Sequence, residues 1–128
     1  MKKYGYYILG MVMMWVLVAC GGSDNDNEEA AVPAVSGDPI AGEQAFIGTC
    51  SSCHGLDAHG LPGLGKDLTI STFVEGMNEE QFSEFVKTGR STSDPANTTG
   101  VDMSPKGGNP SLSDEDIINI RAFIFSLK

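Results

Sequence analysis

The pentapeptide Cys50-Ser51-Ser52-Cys53-His54 constrains this chain more than any other feature. It places two thiols one helical turn apart with an imidazole directly after them. A lone C-x-x-C pair suits a thioredoxin-like dithiol when it sits in a βαβ pattern, but the chain has no strand-like alternation. A structural zinc site wants four ligands, usually two such pairs, and the only other cysteine is Cys20. A plain disulfide is the remaining alternative for an exported protein. His54 separates these readings, because C-x-x-C-H is the attachment signature of a c-type haem. Thiols at this spacing can form thioethers with the two vinyl groups on one porphyrin edge, and the next residue is then held under the iron. Cys50 and Cys53 are therefore expected to attach one haem c covalently, with His54 as an axial ligand. Such a cofactor brings its own redox chemistry, and the protein supplies ligands, orientation and electrostatics.

The N-terminus reads as an address. Lys2 and Lys3 precede an apolar run from Ile8 to Ala19, shorter than the about 20 residues that span a bilayer and suited to a secretory signal. The run ends Leu17-Val18-Ala19-Cys20, which resembles the lipobox of bacterial lipoproteins. Residues 1–19 are thus expected to be a signal peptide and Cys20 a lipidated N-terminus, anchored stably by two or more acyl chains. Residues 20–37 are acidic, small and aperiodic, the composition of a flexible tether. With Cys20 taking lipid and the C-x-x-C pair taking haem, no thiol is left for a disulfide. Gly21 after the lipid site mildly favours the outer membrane, with the domain facing the periplasm.

Residues 38–128 remain for one small domain whose core would be thin. Asp38-Pro39 opens a helix as N-cap and first helical residue, expected to run to about Cys53 with Gly42 and Phe46 on one face. Gly55, Gly60, Pro62, Gly63 and Gly65 mark a long loop. Asn78 and Gln81 form a capping box ahead of a helix bearing Phe82, Phe85 and Val86, which stops at Gly89. Ser113 caps the last helix, with acids in its first turn and a stripe of Ile117, Ile120, Phe123, Ile124 and Leu127. The expected fold class is all-α, a helical domain wrapped around the cofactor. Without haem it is expected to be unfolded or molten.

The iron's second axial position has few candidates. Met77 sits where a hydrophobic staple would, and His59 is too close in sequence to His54 to reach the far face. Met103 lies in Gly100-Val101-Asp102-Met103-Ser104-Pro105-Lys106-Gly107-Gly108, a segment whose Gly and Pro content suits a rigid turn beside a flat ring. Met103 is the candidate ligand, with packing on the last helix as its plain alternative.

These residues resemble the class I cytochrome c family over 38–128. The resemblance rests on the first helix with Gly42 and Phe46, the haem motif, Gly60-Leu61-Pro62-Gly63-Leu64-Gly65, the Met103 loop and the aromatic-bearing last helix. It implies that first and last helices cross at Gly42, Phe46 and Phe123. It also implies that the Pro62 carbonyl accepts from the His54 ring and that Leu64 packs on the haem face. Ser104 departs from the family, where Pro often follows the ligand Met. Residues 20–128 contain no Trp or Tyr, so the ring donors that many relatives aim at a haem propionate are missing. Arg90 is the candidate replacement, with Asn97, Thr98 and Thr99 behind it, and a helix-end cation is its plain alternative.

The functional expectation is a membrane-tethered, monomeric carrier passing single electrons between redox proteins, with no turnover of its own. A His/Met site is closed, and thioether ligation favours ferrous iron. The alternative is a peroxidase-like enzyme or gas sensor in which Met103 is absent from iron. Without Lys2 and Lys3, 6 basic residues face 17 acidic ones, a net charge of −11. That argues against nucleic acid and favours a basic or neutral docking patch; Lys66, Arg90 and Lys106 could ring the haem edge locally.

Overall fold

The computed structural model describes residues 35–128. The expected signal segment, Cys20 and nearly all of the tether lie outside the described residues. Five α-helices follow in order: α1 (Pro39–Thr49), α2 (Ser51–His54), α3 (Thr72–Glu75), α4 (Glu79–Thr88) and α5 (Asp114–Ser126), with a 3₁₀ turn at Pro105–Gly108 before α5. Among the described residues the only β-type pairing is an isolated antiparallel bridge between Arg90 and Met103. None of these helices is long and apolar enough to cross a membrane.

Local chemistry sets the helix starts. The Asp38 carboxylate accepts from the Ile40 amide at 2.8 Å, ahead of Pro39 at the first helical position. Asn78 and Gln81 exchange side-chain and backbone bonds at 2.8 and 3.0 Å to open α4. Ser113 and Asp116 do the same for α5 at 2.9 and 3.1 Å. Each cap satisfies amides that a helix end leaves without partners.

The dominant packing is α1 against α5. Phe46 is fully buried and its ring centroid lies 5.2 Å from that of Phe123. The crossing depends on Gly42, where a β-carbon would stand 1.9 Å from the Asn119 carbonyl oxygen. Asn119, the buried polar residue of the core, accepts from the Asp38 amide at 2.8 Å and so clasps the start of α1 to the middle of α5. We expect Gly42→Val to push the helices apart and cost roughly 3 kcal/mol or more. For a domain of this size that is a fall of about 12 °C or more in the melting temperature of the haem-loaded protein; an unchanged melt would contradict the crossing.

Two expectations about the helices are corrected. α1 does not run on to Cys53: the chain breaks at Cys50, with φ −101°, and α2 restarts at Ser51. Leu127 is not part of the buried stripe, because α5 ends at Ser126 and Leu127 is its 39% exposed C-cap. Helix α3, capped by Ser71, had no sequence signal long enough to read.

Candidate functional site

The helices and loops enclose a cavity of about 540 Å³, within the range of about 300–1,000 Å³ usual for bound organic ligands. Cys50, Cys53 and His54 line it together with Leu68, Arg90 and Met103. Phe46, Phe82, Ile120 and Ile124 from the core supply apolar wall. Both cysteines are free thiols. Burial first, then the charge of Cys53, pushes the Cys50 thiol up to about 11. Among the described residues, no three or more His, Cys, Asp or Glu side chains gather into a metal cage.

His54 is oriented by a backbone atom. Its Nδ1 lies 2.8 Å from the Lys66 carbonyl oxygen. A carbonyl can only accept, so Nδ1 carries the proton and the Nε2 lone pair is left free for a metal. This corrects the expectation for Pro62, which is exposed and lies off the cavity wall. The chain turns at Leu61–Leu64, with the Leu64 amide donating to the Leu61 carbonyl at 3.0 Å, so Lys66 is the residue that reaches the ring. Gly65 makes the approach possible, since a β-carbon there would stand 2.3 Å from the Cys53 carbonyl oxygen and 3.1 Å from His54 Nδ1. Leu64 does line the cavity but is 44% exposed, whereas Leu68 packs against the core.

Met103 is held by its own main chain. The Arg90 amide donates to the Met103 carbonyl at 2.8 Å and the Met103 amide donates back at 2.9 Å. This pairs the residue after the Gly89 stop of α4 with the residue before Ser104. The Arg90 guanidinium stacks 4.5 Å from the Phe73 ring centroid and 4.9 Å from that of Phe85. Its Nε lies 3.2 Å from Asp94 Oδ2, off the line of the N–H, so the ion pair includes no aligned hydrogen bond there. Arg90 thus presents a fixed cation at the cavity with donors to spare. Asn97 does not, because its amide bonds the Ser91 and Val101 carbonyls and its oxygen takes Thr99 and Gly100 amides. Thr98 and Thr99 line the cavity. Lys106 is turned away into its own loop, donating to the Leu112 carbonyl at 2.7 Å, so it does not join a ring of cations. Met77 packs against the core, and His59 faces Asp67; neither lines the cavity.

Residues 37–124 match the family described as cytochrome c oxidase, cbb3-type, subunit III. The chain belongs to this family of c-type cytochromes. The cytochrome is 34% identical over 99 residues to cytochrome c-554(548) of Halomonas halodenitrificans, covering 71% of this chain and 98% of that one. It is 30% identical over 96 residues to the cbb3-type cytochrome c oxidase subunit CcoP of Rhodobacter capsulatus. That alignment takes in 74% of this chain but only 31% of the subunit, so the chain spans about a third of that relative's length. Among solved structures, cytochrome cL from Methylophaga aminisulfidivorans matches with a TM-score of 0.50 at 30% identity, over 69% of this chain and 51% of that one.

The cytochrome is therefore an all-α, monohaem electron-transfer protein, and membership implies covalently bound haem c. The residues present fit that group. Two free thiols, an imidazole with Nε2 unprotonated, a thioether and a stacked guanidinium converge on one apolar-walled cavity.

Proposed function

We propose that this cytochrome carries its haem through Cys50 and Cys53, ligates the iron with His54 and Met103, and passes single electrons between respiratory redox proteins while tethered to a membrane through Cys20. The observation that carries the ligand reading is that His54 and Met103 line one cavity and each is held by main-chain hydrogen bonds. When bound, the haem supplies reversible one-electron chemistry. The chain's part is to hold both axial donors in place through the electron's arrival and departure. Phe46, Phe82, Ile120 and Ile124 keep water from the inner wall, and Arg90 offers its positive charge to a propionate. Pro62 has no role in this reading; the Lys66 carbonyl takes it.

The chain is read as a carrier with no turnover of its own, its domain 38–128 facing the periplasm behind the tether. A relative matched over 98% of its length supports a self-contained carrier. Likeness to an oxidase subunit supports redox proteins as donor and acceptor. Lys87, Arg90 and Lys128 are each paired with an acid. Without Lys2 and Lys3 the net charge of −11 favours a basic or neutral docking face on the partner.

The test is the visible spectrum of the oxidised, haem-loaded protein, followed by carbon monoxide addition to the reduced form. A weak red sulfur-to-iron band and slow carbon monoxide binding are expected. A high-spin spectrum with fast binding would transfer the protein to the competing reading, a peroxidase-like enzyme or gas sensor with an open sixth position.

A further inference from the structure

On each side of the cavity, main chain passes main chain with no side chain between them. On the His54 side the contact is Gly65 against Cys53. On the Met103 side it is Gly89, the residue that stops α4. The Gly89 amide donates to the Phe85 carbonyl at 2.8 Å, and the chain then turns with φ 73° and ψ −163°, a region open essentially to glycine alone. That turn lays Gly89 along Met103–Pro105. A β-carbon on it would stand 2.2 Å from the Met103 carbonyl oxygen and 2.9 Å from both the Ser104 carbonyl carbon and the Pro105 nitrogen. All three are backbone atoms, so no side chain could rotate out of the way.

The segment around Met103 has little room to yield. After it, Pro105 fixes the backbone, and the Lys106 ammonium donates to the Pro110 and Leu112 carbonyls at 3.4 and 2.7 Å. Gly107 lies against Thr49, and Asn109 donates to the Thr49 hydroxyl at 3.3 Å. Before it, the Asn97 amide holds the Val101 carbonyl at 2.8 Å, and the Asp102 carboxylate accepts from the Thr92 amide. Met103 sits between these two anchored flanks.

We propose that Gly89 is a positioning residue for the iron–sulfur bond, setting by its lack of a side chain where the Met103 thioether can reach, an inference that rests on the reading of Met103 as the axial ligand. Contacts of this kind do not come under 3.0 Å, so a methyl group at position 89 displaces one main chain by most of an ångström. A site of this sort tolerates about 0.5 Å. With both flanks anchored and Arg90 paired to Met103, the displacement falls on Met103. His54 is oriented from a different loop, through the Lys66 carbonyl, and keeps its place.

The experiment uses the full, haem-loaded protein as wild type, Gly89→Ala and Gly100→Ala. Gly100 is the control. It lies in the same segment as Met103 and has φ 75°, but nothing stands within 4 Å of where its β-carbon would lie. It shares the cost of a positive φ without the collision. Gly89→Ala should lose most of the red sulfur-to-iron band. Its ferrous form should bind carbon monoxide about tenfold faster, the factor that about 1.4 kcal/mol of overpacking strain supplies. Gly100→Ala should keep the band and the slow binding. Thermal melts of the same samples separate positioning from general damage. Gly89→Ala should still melt cooperatively, because the α1–α5 crossing and the two cysteines lie elsewhere. A wild-type band and carbon monoxide rate in Gly89→Ala, equal losses in the two variants, or loss of the cooperative melt in Gly89→Ala would each overturn the proposal. A wild type that itself lacks the band sinks the Met103 reading and this proposal with it, whereas a band present in both wild type and Gly89→Ala sinks the role of Gly89 alone.

Discussion

A Cys50→Ser, Cys53→Ser double variant is expected to lose its haem under denaturing conditions, where the wild type keeps it, and to lose its fixed fold once the haem is gone. The magnitude comes from the cavity. At about 24 cal/mol per Å³, leaving even a quarter of the 540 Å³ cavity empty costs about 3 kcal/mol, a large part of a domain's stability of about 5–15 kcal/mol. The walls concerned are the core itself: Phe46, Phe82, Ile120 and Ile124 face the cavity and also make up the buried cluster. The haem-free variant should keep helical signal in the far ultraviolet, bind a hydrophobic dye and melt without cooperativity. Native chemical-shift dispersion and a cooperative melt near that of the wild type would mean that the helices sustain the core alone.

Met103→Ala is expected to abolish the red sulfur-to-iron band, open the iron to carbon monoxide and lower the potential by on the order of 0.1 V, given that axial ligands set potentials over about 0.8 V. A thioether stabilises ferrous iron, so its loss moves the potential down. The structure makes this variant informative. Met103 is held through its amide and carbonyl to Arg90, and alanine keeps both. The loop should stay in place while the donor disappears, and the melting temperature should change far less than in the double cysteine variant. Met77→Leu is the control, since Met77 packs on the core away from the cavity. If Met103→Ala keeps the band and Met77→Leu loses it, the ligand assignment is wrong.

Much of this was legible because the informative signals were side chains with a fixed job at a fixed spacing. Asp38-Pro39, the Asn78–Gln81 box and the Ser113 cap each announce a helix start, and each is found there. The α1–α5 crossing at Gly42, Phe46 and Phe123 was implied by the resemblance to class I cytochrome c, and it is found there. The error at Pro62 has a physical origin. The atom that meets His54 is a backbone carbonyl, which every residue carries, so Lys66 gives no sign of it. The trace lay one residue earlier, at Gly65, where a side chain would collide with Cys53. Leu68, which also lines the cavity and packs against the core, had no motif to mark it. Asn97 looked like a free donor because a sequence cannot say which polar groups a loop consumes internally. The Arg90 stack on Phe73 and Phe85 joins residues from α3, α4 and the segment after it, and only the tertiary fold brings them together.

The clasp between Asp38 and Asn119 joins positions 81 residues apart. α1 opens the described domain and α5 closes it, so the principal helix pair forms only across nearly the whole of its length. Loop closure over such a separation also weighs against rapid folding. Loss of α5 would therefore remove far more than one helix: it would take Phe123 away from Phe46 and Asn119 away from the start of α1.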